Sequence, residues 1–250
     1  MGSVDWTFLD NSLDPASVPR GVVTSPSPPP GGGSFIYGMN SIVDTDGAVG
    51  LTLDAATNPD FAPIQAGGGA PASVGGGSIR GAIARGISSL KVGFSPFFYM
   101  GLQAAGTPAV TDQAYIIGLE DSDPYRIVVI KGQIINGAVA ATTENSLLRS
   151  TATYSIDSDP DENWHHIRMD MIVEGTGDVR LQCFESDLSA HDVTAPIWTP
   201  IPGCEEFVDD ALGVNSGSLP FTEGYPGFAF ASTQMGRRGY FDQIEIARQV

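Results

Sequence analysis

Alternating apolar and polar residues over positions 164–185 predict a long antiparallel hairpin. Ile167, Met169 and Met171 occupy every second position, and polar or charged residues stand between them. This period of two is typical of a strand with one buried face. Residues 175–178, Gly-Thr-Gly-Asp, then reverse the chain, because glycine reaches the positive φ values that a tight hairpin needs. The alternation resumes after this turn, which predicts the partner strand.

The middle of the chain predicts strands that are covered on both faces. Residues 96–102, 115–119 and 125–130 are apolar at nearly every position, as is typical of strands buried on two sides. Few segments favour a helix: residues 146–154 fit a helix or a strand, and residues 205–212 fit one short helix. The pattern therefore predicts an all-β protein, an antiparallel β-sandwich with Gly/Pro-rich loops and little helix.

Length and composition favour one domain over residues 1–250. A chain of 250 residues can bury a full core, and its 31 Gly and 18 Pro suit many strands joined by turns. Residues 20–34 and 66–78 are rich in proline and glycine, which cannot hold a ladder. We expect these two segments to be flexible loops or arms that contact a partner.

The charge balance excludes several classes of partner. The formal net charge is −17, and Lys91 and Lys131 are the only lysines. Such a field repels phosphate backbones, so we expect no nucleic-acid binding. No apolar run of membrane-spanning length occurs, and the start MGSVDWTFLD lacks the basic and apolar regions of a signal peptide. We therefore expect no membrane partner and synthesis without export.

Cys183 and Cys204 are the only cysteines. Cys183 falls on the inward face of the predicted hairpin, which favours a buried thiol. A Cys183–Cys204 bridge stays open as an alternative if the protein meets oxidising surroundings.

Three motifs in order resemble the concanavalin A-like lectin/glucanase superfamily, including its laminin-G-like members. A strand with Trp-Thr-Phe at 6–8 opens the chain, Trp-His-His-Ile-Arg at 164–168 leads into the hairpin, and Gly-Phe-Ala-Phe at 227–230 precedes the closing strand 240–246. The superfamily has a W-h-x-h-x-h strand, then a G-h-x-h strand and a final h-D-x-h-x-h strand. The resemblance implies a jelly-roll fold in which residues 6–9 pair with the last strand.

Catalytic motifs are not apparent, so we expect no enzymatic activity. Retaining glucanases of this superfamily carry a Glu-x-Asp-x-x-Glu strand, which places two carboxylates about 5 Å apart. The chain has no such run, since Asp242 and Glu245 have the wrong spacing. A Gly-x-Ser-x-Gly elbow for a serine nucleophile is missing as well.

An acidic segment is the candidate for a metal site. Asp157, Asp159 and Asp161 offer oxygen ligands at alternate positions, as in a calcium loop. The segment departs from the EF-hand pattern, because Glu162 stands where the turn glycine should be and Arg168 where the bidentate glutamate belongs. A solvated acidic turn is the alternative to a Ca²⁺ site.

Two further sets of side chains are candidates for contacts with ligands or partners. The aromatic rings of Tyr99, Trp198 and Tyr225 could stack on sugars, although most such residues belong to the core or rim of a sandwich. Arg237 and Arg238 form the only adjacent basic pair and could contact an acidic neighbour. A solvated loop tip is the other interpretation of that pair.

Two functional hypotheses follow. The first is a non-enzymatic virion structural protein of a tailed bacteriophage (a capsid decoration, tail or fibre component), assembled in the host cytoplasm with other virion proteins and copies of itself. It rests on an overall likeness to jelly-roll proteins of such particles. The second is a lectin-like carbohydrate-binding domain, with Ca²⁺ as a potential cofactor. An adhesin for host surface glycans would combine the two.

Overall fold

The chain forms β-strands throughout the part that the structure describes. In this computed structural model, backbone and side chains are described for residues 75–83, 96–103, 112–120, 124–133, 146–154, 164–186, 196–228 and 247; the other strands are described as backbone only. These residues contain no helix, and therefore none long and apolar enough to cross a membrane.

Seventeen strands in the described part of the chain build two antiparallel sheets. Sheet A contains β1 (Val4–Thr7), β4 (Ser41–Val43), β5 (Leu51–Ala55), β7 (Gly77–Arg85), β12 (His165–Val173), β13 (Val179–Ser186), β14 (Thr199–Pro200), β15 (Phe207–Asp209) and β17 (Arg237–Arg248). Sheet B contains β2 (Val22–Thr24), β3 (Ser34–Tyr37), β6 (Phe61–Ala66), β8 (Phe94–Leu102), β9 (Gln113–Leu119), β10 (Ile127–Gln133), β11 (Ser146–Arg149) and β16 (Tyr225–Ser232).

The order of strands confirms the sandwich and the pairing of the chain's two ends. Sheet A runs β14-β13-β12-β7-β17-β5-β4, with β1 beside β17 and β15 beside β13. Sheet B runs β11-β10-β9-β8-β16-β6-β3-β2. The first strand lies antiparallel to the last, with Trp6 opposite Ile246 and Thr7 opposite Glu245, as the family resemblance implies.

The predicted hairpin is confirmed and lies towards one end of sheet A, next to β7. Strands β12 and β13 pair without a bulge from His166 opposite Ser186 to Val173 opposite Val179. The turn between them contains Gly177, whose φ of 90° lies in the left-handed region that glycine adopts without strain. All inward residues from Ile167 to Met171 are fully buried.

The helix expected over residues 205–212 is wrong. Residues 207–209 form β15, which pairs with the hairpin strand β13 through Phe207 opposite Leu181 and Asp209 opposite Val179. The free edge of β13 therefore takes up this segment, because strand pairing satisfies its backbone hydrogen bonds. The segment 146–154, left open between helix and strand, begins with β11.

Along the described parts of β8, β9 and β10, sheet B is buried on both faces, as their continuous apolar runs predict. Its inward side chains meet those of sheet A in the main core, which includes these fully buried residues: Ile79, Ile83, Phe98, Met100, Tyr115, Ile117, Ile167, Met169, Met171, Leu181 and Phe228. Its outward side chains form a second buried cluster, which contains Phe97, Tyr99, Leu102, Ala114, Ile116, Val128 and Ile130. In sheet A, by contrast, the described outward positions are mainly polar.

Several expectations about loops fall outside the described residues. Of the segment 20–34 only β2 and Ser34 are described, and of 66–78 only Ala66 and residues 75–78. Their predicted role as flexible or partner-contacting arms, and the single-domain assignment over 1–250, remain predictions.

Two leucine substitutions test the assignment of inside and outside. Leu181 is fully buried in the main core, whereas Leu212 is 82% exposed. We expect Leu181→Ala to lower the free energy of unfolding by about 2–5 kcal/mol, because it removes apolar contacts and leaves a cavity. The same change at Leu212 should alter stability by less than about 0.5 kcal/mol. Urea unfolding of both variants measures this, and equal effects would contradict the placement of β13.

Candidate functional site

The three predicted sugar-stacking residues lie in different surroundings. Tyr99 is fully buried in the second cluster, so its ring offers no face to solvent, and burial raises the pKa of its hydroxyl. Tyr225 is half-buried and packs against the same cluster. Trp198 is half-buried next to exposed residues and is the candidate best placed to meet a ligand.

The structure does not describe the side chains of the predicted metal ligands or of the basic pair. Asp157, Asp159 and Asp161 lie outside the described residues. Within the described part of the chain, no three His, Cys, Asp or Glu side chains are grouped so as to hold a metal ion. Arg237 and Arg238 begin β17, opposite Ala55 and Asp54 of β5, and only their backbone is described.

Trp198 lies on the outer side of sheet A. It directly precedes β14, which pairs with β13 through Thr199 opposite Glu185. The guanidinium of Arg80 on β7 lies 5.9 Å from the Trp198 ring centroid, within the range of a cation–π contact. The neighbouring Ile197 is 76% exposed. Trp198 therefore extends from β14 at the edge of sheet A to Arg80 on β7, a central strand.

Charged and aromatic side chains form a row across this outer face. Arg168 of β12 lies opposite both Arg80 and Phe184 in the strand register. Its guanidinium donates to both carboxylate oxygens of Asp170 and lies 5.0 Å from the Phe184 ring centroid. Like charges that face each other on adjacent strands repel, so this carboxylate reduces the repulsion between the two arginines.

Two polar atoms on this side of the sandwich have no hydrogen-bond partner among the described residues. They are the indole N–H of Trp198 and the hydroxyl of Ser186, and both atoms are buried. Buried polar atoms are nearly always satisfied in proteins. Both atoms are closed to solvent, so a ligand on this surface would contact the Trp198 ring and not its N–H.

A second surface is built by residues 210–224, which we call the capping loop. Its anchor is an ion pair between Lys131 of β10 and Asp209 of β15, with Nζ 2.6 Å from Oδ2 and both side chains almost fully buried. The ammonium also donates, at 2.8 Å each, to the Ser216 hydroxyl and to the carbonyls of Ser218 and Leu219. Since every proton of the ammonium has an acceptor, burial of this lysine is compensated.

Aromatic residues complete the anchor. The Tyr115 hydroxyl donates to Asp209 Oδ2 and accepts from the backbone N–H of Phe221 at 3.0 Å. Burial, followed by the hydrogen bond to Asp209, raises the pKa of Tyr115 far above its usual range. The Phe221 ring lies 5.1 Å from the Tyr115 ring and 4.8 Å from Lys131 Nζ. The loop is therefore fixed to both sheets, since Tyr115 and Lys131 belong to sheet B and Asp209 to sheet A.

The start of the capping loop is ordered by Asp210. Its carboxylate accepts from the backbone N–H groups of Leu212, Val214 and Asn215 at 2.8–3.2 Å. These bonds lower the pKa of Asp210, the one from Asn215 most strongly. The backbone N–H of Ala211 donates to Asp178 in the turn of the β12–β13 hairpin at 2.8 Å. The Asp210 side chain thus replaces the hydrogen bonds to a neighbouring strand that the backbone loses after β15.

The end of the capping loop is held by close backbone packing. The Gln103 side-chain amide donates to the carbonyls of Glu223 and Gly101. Gly224 lies so close that a Cβ placed on it would be 2.4 Å from the backbone of Gly101. The loop therefore has attachments at its start, middle and end.

The polar anchor of this loop was missed from sequence, although one signal was present. Lys131 shares the strand parity of the buried residues Ile127 and Val129. A lysine at an inward position, in a chain with two lysines, calls for a buried acid as its partner. The identity of that acid, Asp209, depends on the pairing of β15 and could not be read from the sequence.

Both cysteines are free, buried thiols, which agrees with the expectation for Cys183. The Cys204 thiol donates to the Ile127 carbonyl at 3.6 Å. Burial, with a smaller contribution from Glu205 and Glu185, raises the pKa of Cys204 to about 12. Burial likewise raises the pKa of Cys183 well above its usual value. Both thiols therefore stay protonated in the folded protein at neutral pH.

The buried ion pair yields a first prediction for this site. We expect Lys131→Met to lower the free energy of unfolding by about 3–5 kcal/mol, because it leaves the Asp209 carboxylate buried without its counter-charge. Adding Asp209→Asn should recover part of that loss. Urea unfolding measures stability, and chymotrypsin cleavage within residues 210–224 reports release of the loop. Arg180→Met, which breaks partly exposed pairs with Glu174 and Glu206, is the control and should cost clearly less.

The thiols yield a second prediction. At pH 8 neither thiol should react with a chromogenic disulfide reagent in the native protein, and both should react in urea, because only the exposed thiol forms the thiolate at that pH. The raised pKa values contribute stability that is complete below about pH 8.5, the unfolded value, and is lost as the pH rises towards the folded values. Rapid reaction of Cys204 in the native protein would contradict its burial.

Solved structures similar to this chain include carbohydrate recognition domains. The chain is similar to the Emp47p carbohydrate recognition domain, with a TM-score of 0.57 and 11% identity over 100% of this chain and 97% of that one. A point mutant of the Emp46p carbohydrate recognition domain gives a TM-score of 0.57 and 8% identity over 100% and 99%.

The VIP36 exoplasmic/lumenal domain in its Ca²⁺/Man2-bound form gives a TM-score of 0.54 and 13% identity over 98% of this chain and 88% of that one. No family model matches the chain, and no curated protein matches it. At these identities the likeness establishes the fold: the chain is a concanavalin A-like jelly-roll β-sandwich.

Proposed function

We propose that this protein is a non-enzymatic, lectin-like domain that binds carbohydrate. The observation that supports it most is similarity along the whole chain to carbohydrate recognition domains, which extends over 97–100% of both chains for Emp47p. The second hypothesis drawn from the sequence therefore moves ahead of the first. Fold alone does not determine function, so the proposal needs a site and a direct binding test.

The site we propose is the outer face of sheet A around Trp198. The half-buried Trp198 ring has Arg80 on one side, and its chain neighbours Ile197 and Thr199 are exposed. Sugars present C–H faces that stack on aromatic rings, and hydroxyl oxygens that accept from an arginine. The first ligands to try are mannose glycans, because the VIP36 domain is recorded in Ca²⁺/Man2-bound and Ca²⁺/Man-bound forms.

The hypothesis of a virion component gains no support from the similar structures. Assembly in a host cytoplasm with other virion proteins, and self-association, remain predictions from the sequence. A host-glycan adhesin would satisfy the carbohydrate proposal as well.

Calcium dependence is a separate question from sugar binding. The solved neighbours include Ca²⁺-bound and potassium-bound domains. The described residues of this chain supply no group of three metal ligands, so they do not fit a metal site. Asp157, Asp159 and Asp161 stay the sequence-based candidates, and the experiment below measures sugar binding with and without the metal.

Substitution of Trp198 tests the proposed site. We expect saturable binding to at least one mannose-containing glycan, measured on a glycan array and by calorimetry. Trp198→Ala should weaken it roughly 2- to 10-fold, since an aromatic contact is worth about 0.5–1.5 kcal/mol. Ile197→Ala, a change at the exposed neighbour, is the matched control and should leave binding unchanged. Chelation by EDTA, followed by added Ca²⁺, shows whether a metal takes part.

The possible outcomes separate the function from its location. Absence of binding to every glycan, with and without Ca²⁺, would overturn the lectin proposal. Sugar binding that survives Trp198→Ala unchanged would keep the function and move the site elsewhere. Urea unfolding of the variant confirms that any loss is not a loss of fold.

A further inference from the structure

Arg80 lies against the Trp198 ring although the two residues belong to strands that are not neighbours. Arg80 is half-buried on β7, which is paired on both sides, by β12 and by β17. Trp198 directly precedes β14, the edge strand, and β12 and β13 lie between β7 and β14. The two side chains therefore meet over the outer face of sheet A, with the guanidinium 5.9 Å from the ring centroid.

The strand next to Trp198 is short and exposed. β14 consists of Thr199 and Pro200 alone, and both residues are exposed. Ile197, on the other side of Trp198, is 76% exposed. Segments with so few backbone pairs have low local stability. A side-chain contact with a strand that is paired on both sides therefore adds to what holds the indole in place.

Arg168 explains why the Arg80 guanidinium can occupy this position. The two arginines lie opposite each other on β12 and β7, where like charges repel. The Arg168 guanidinium is held by both carboxylate oxygens of Asp170 and by the Phe184 ring at 5.0 Å. Asp170 lies on the far side of Arg168 from Trp198 in the strand register. Arg168 is thus drawn away from Trp198, and the space over the row is left to Arg80.

The contact restricts how a ligand can meet the indole. Arg80 lies over the Trp198 ring on one side, and the indole N–H is closed to solvent. A sugar can therefore stack only on the ring surface that remains exposed. A side chain that is already held in its binding orientation loses less conformational entropy when a ligand binds, and this increases the affinity.

We propose that Arg80 is a positioning residue of the carbohydrate site: it holds the Trp198 ring in the orientation that presents the exposed ring surface to a sugar. This inference rests on the lectin-like function proposed above. Arg80 acts through Trp198, so its effect on the ring can be observed in the absence of a ligand, and its effect on affinity in the presence of one.

Nuclear magnetic resonance of the protein labelled on its indole nitrogens tests the contact without a sugar. The chain has three tryptophans, and the indole N–H signal that is missing in Trp198→Phe belongs to Trp198. Arg80→Met should shift or broaden this signal, because the ring loses its cation and takes up other orientations. The signal of Trp164, which is 2% exposed, should stay in place and is the internal control.

Calorimetry with a mannose disaccharide, or with the glycan that binds most tightly on the array, tests the effect on affinity. Arg80→Met should weaken binding about 2- to 5-fold, the equivalent of one cation–π contact. Arg80→Lys should bind more tightly than Arg80→Met, because an ammonium can lie over the same ring and the charge opposite Glu245 of β17 is kept. Arg180→Met removes another outward arginine, on β13, and should change neither the affinity nor the Trp198 signal.

The outcomes separate this inference from the function on which it rests. A parent protein that binds no glycan would overturn the lectin proposal and this role with it. A parent that binds, while Arg80→Met keeps full affinity or an unchanged Trp198 signal, would overturn the role of Arg80 alone. Arg80→Gln, a second neutral variant, should lose affinity as Arg80→Met does. A urea midpoint equal to that of the parent in either variant excludes a loss of fold as the cause.

Discussion

Lys131 and Asp209 form an ion pair that joins the two sheets, because β10 belongs to sheet B and β15 to sheet A. Transfer of both charges from water into the interior is costly, and the attraction between them offsets the cost only when the remaining protons and lone pairs are satisfied. Here Tyr115 and Ser216 also donate to the carboxylate. Burial of the ion pair is therefore compensated only when all of these hydrogen bonds are made, and the capping loop supplies part of them.

This dependence explains why a loop of irregular sequence has a definite conformation. Without the carbonyls of Ser218 and Leu219 the ammonium would have only Asp209 and Ser216 as acceptors for its three protons, so the fold of the loop and the burial of the charge stabilise each other. At a second place, the Tyr154 hydroxyl, just after β11 of sheet B, donates to Glu185 of sheet A. Burial and this hydrogen bond raise the pKa of Tyr154 far above its usual range. Polar bridges thus complement the apolar core at the margins of the sandwich.

Much of the fold could be predicted from local patterns, and the sites could not. The hairpin was predictable because Ile167, Met169 and Met171 alternate with polar residues, and one face of a strand must be buried. Continuous apolar runs on β8 to β10 likewise indicated a sheet that is buried on both faces. Burial of the outward face also covers Tyr99, which its residue type had made a candidate for sugar stacking. The segment 205–212 was misassigned because its strand is specified by a distant edge, that of β13. Pairings of this kind link residues far apart in sequence, and no local pattern carries them.

The charges on the outer face of sheet A are paired, which affects the kind of ligand that suits the surface around Trp198. Arg80, Arg168 and Arg180 stand at outward positions of β7, β12 and β13, where the carboxylates of Asp170, Glu174 and Glu206 pair with two of them. Local neutralisation leaves an environment in which an uncharged, hydroxyl-rich ligand is neither attracted nor repelled at long range, so stacking and hydrogen bonds decide its affinity.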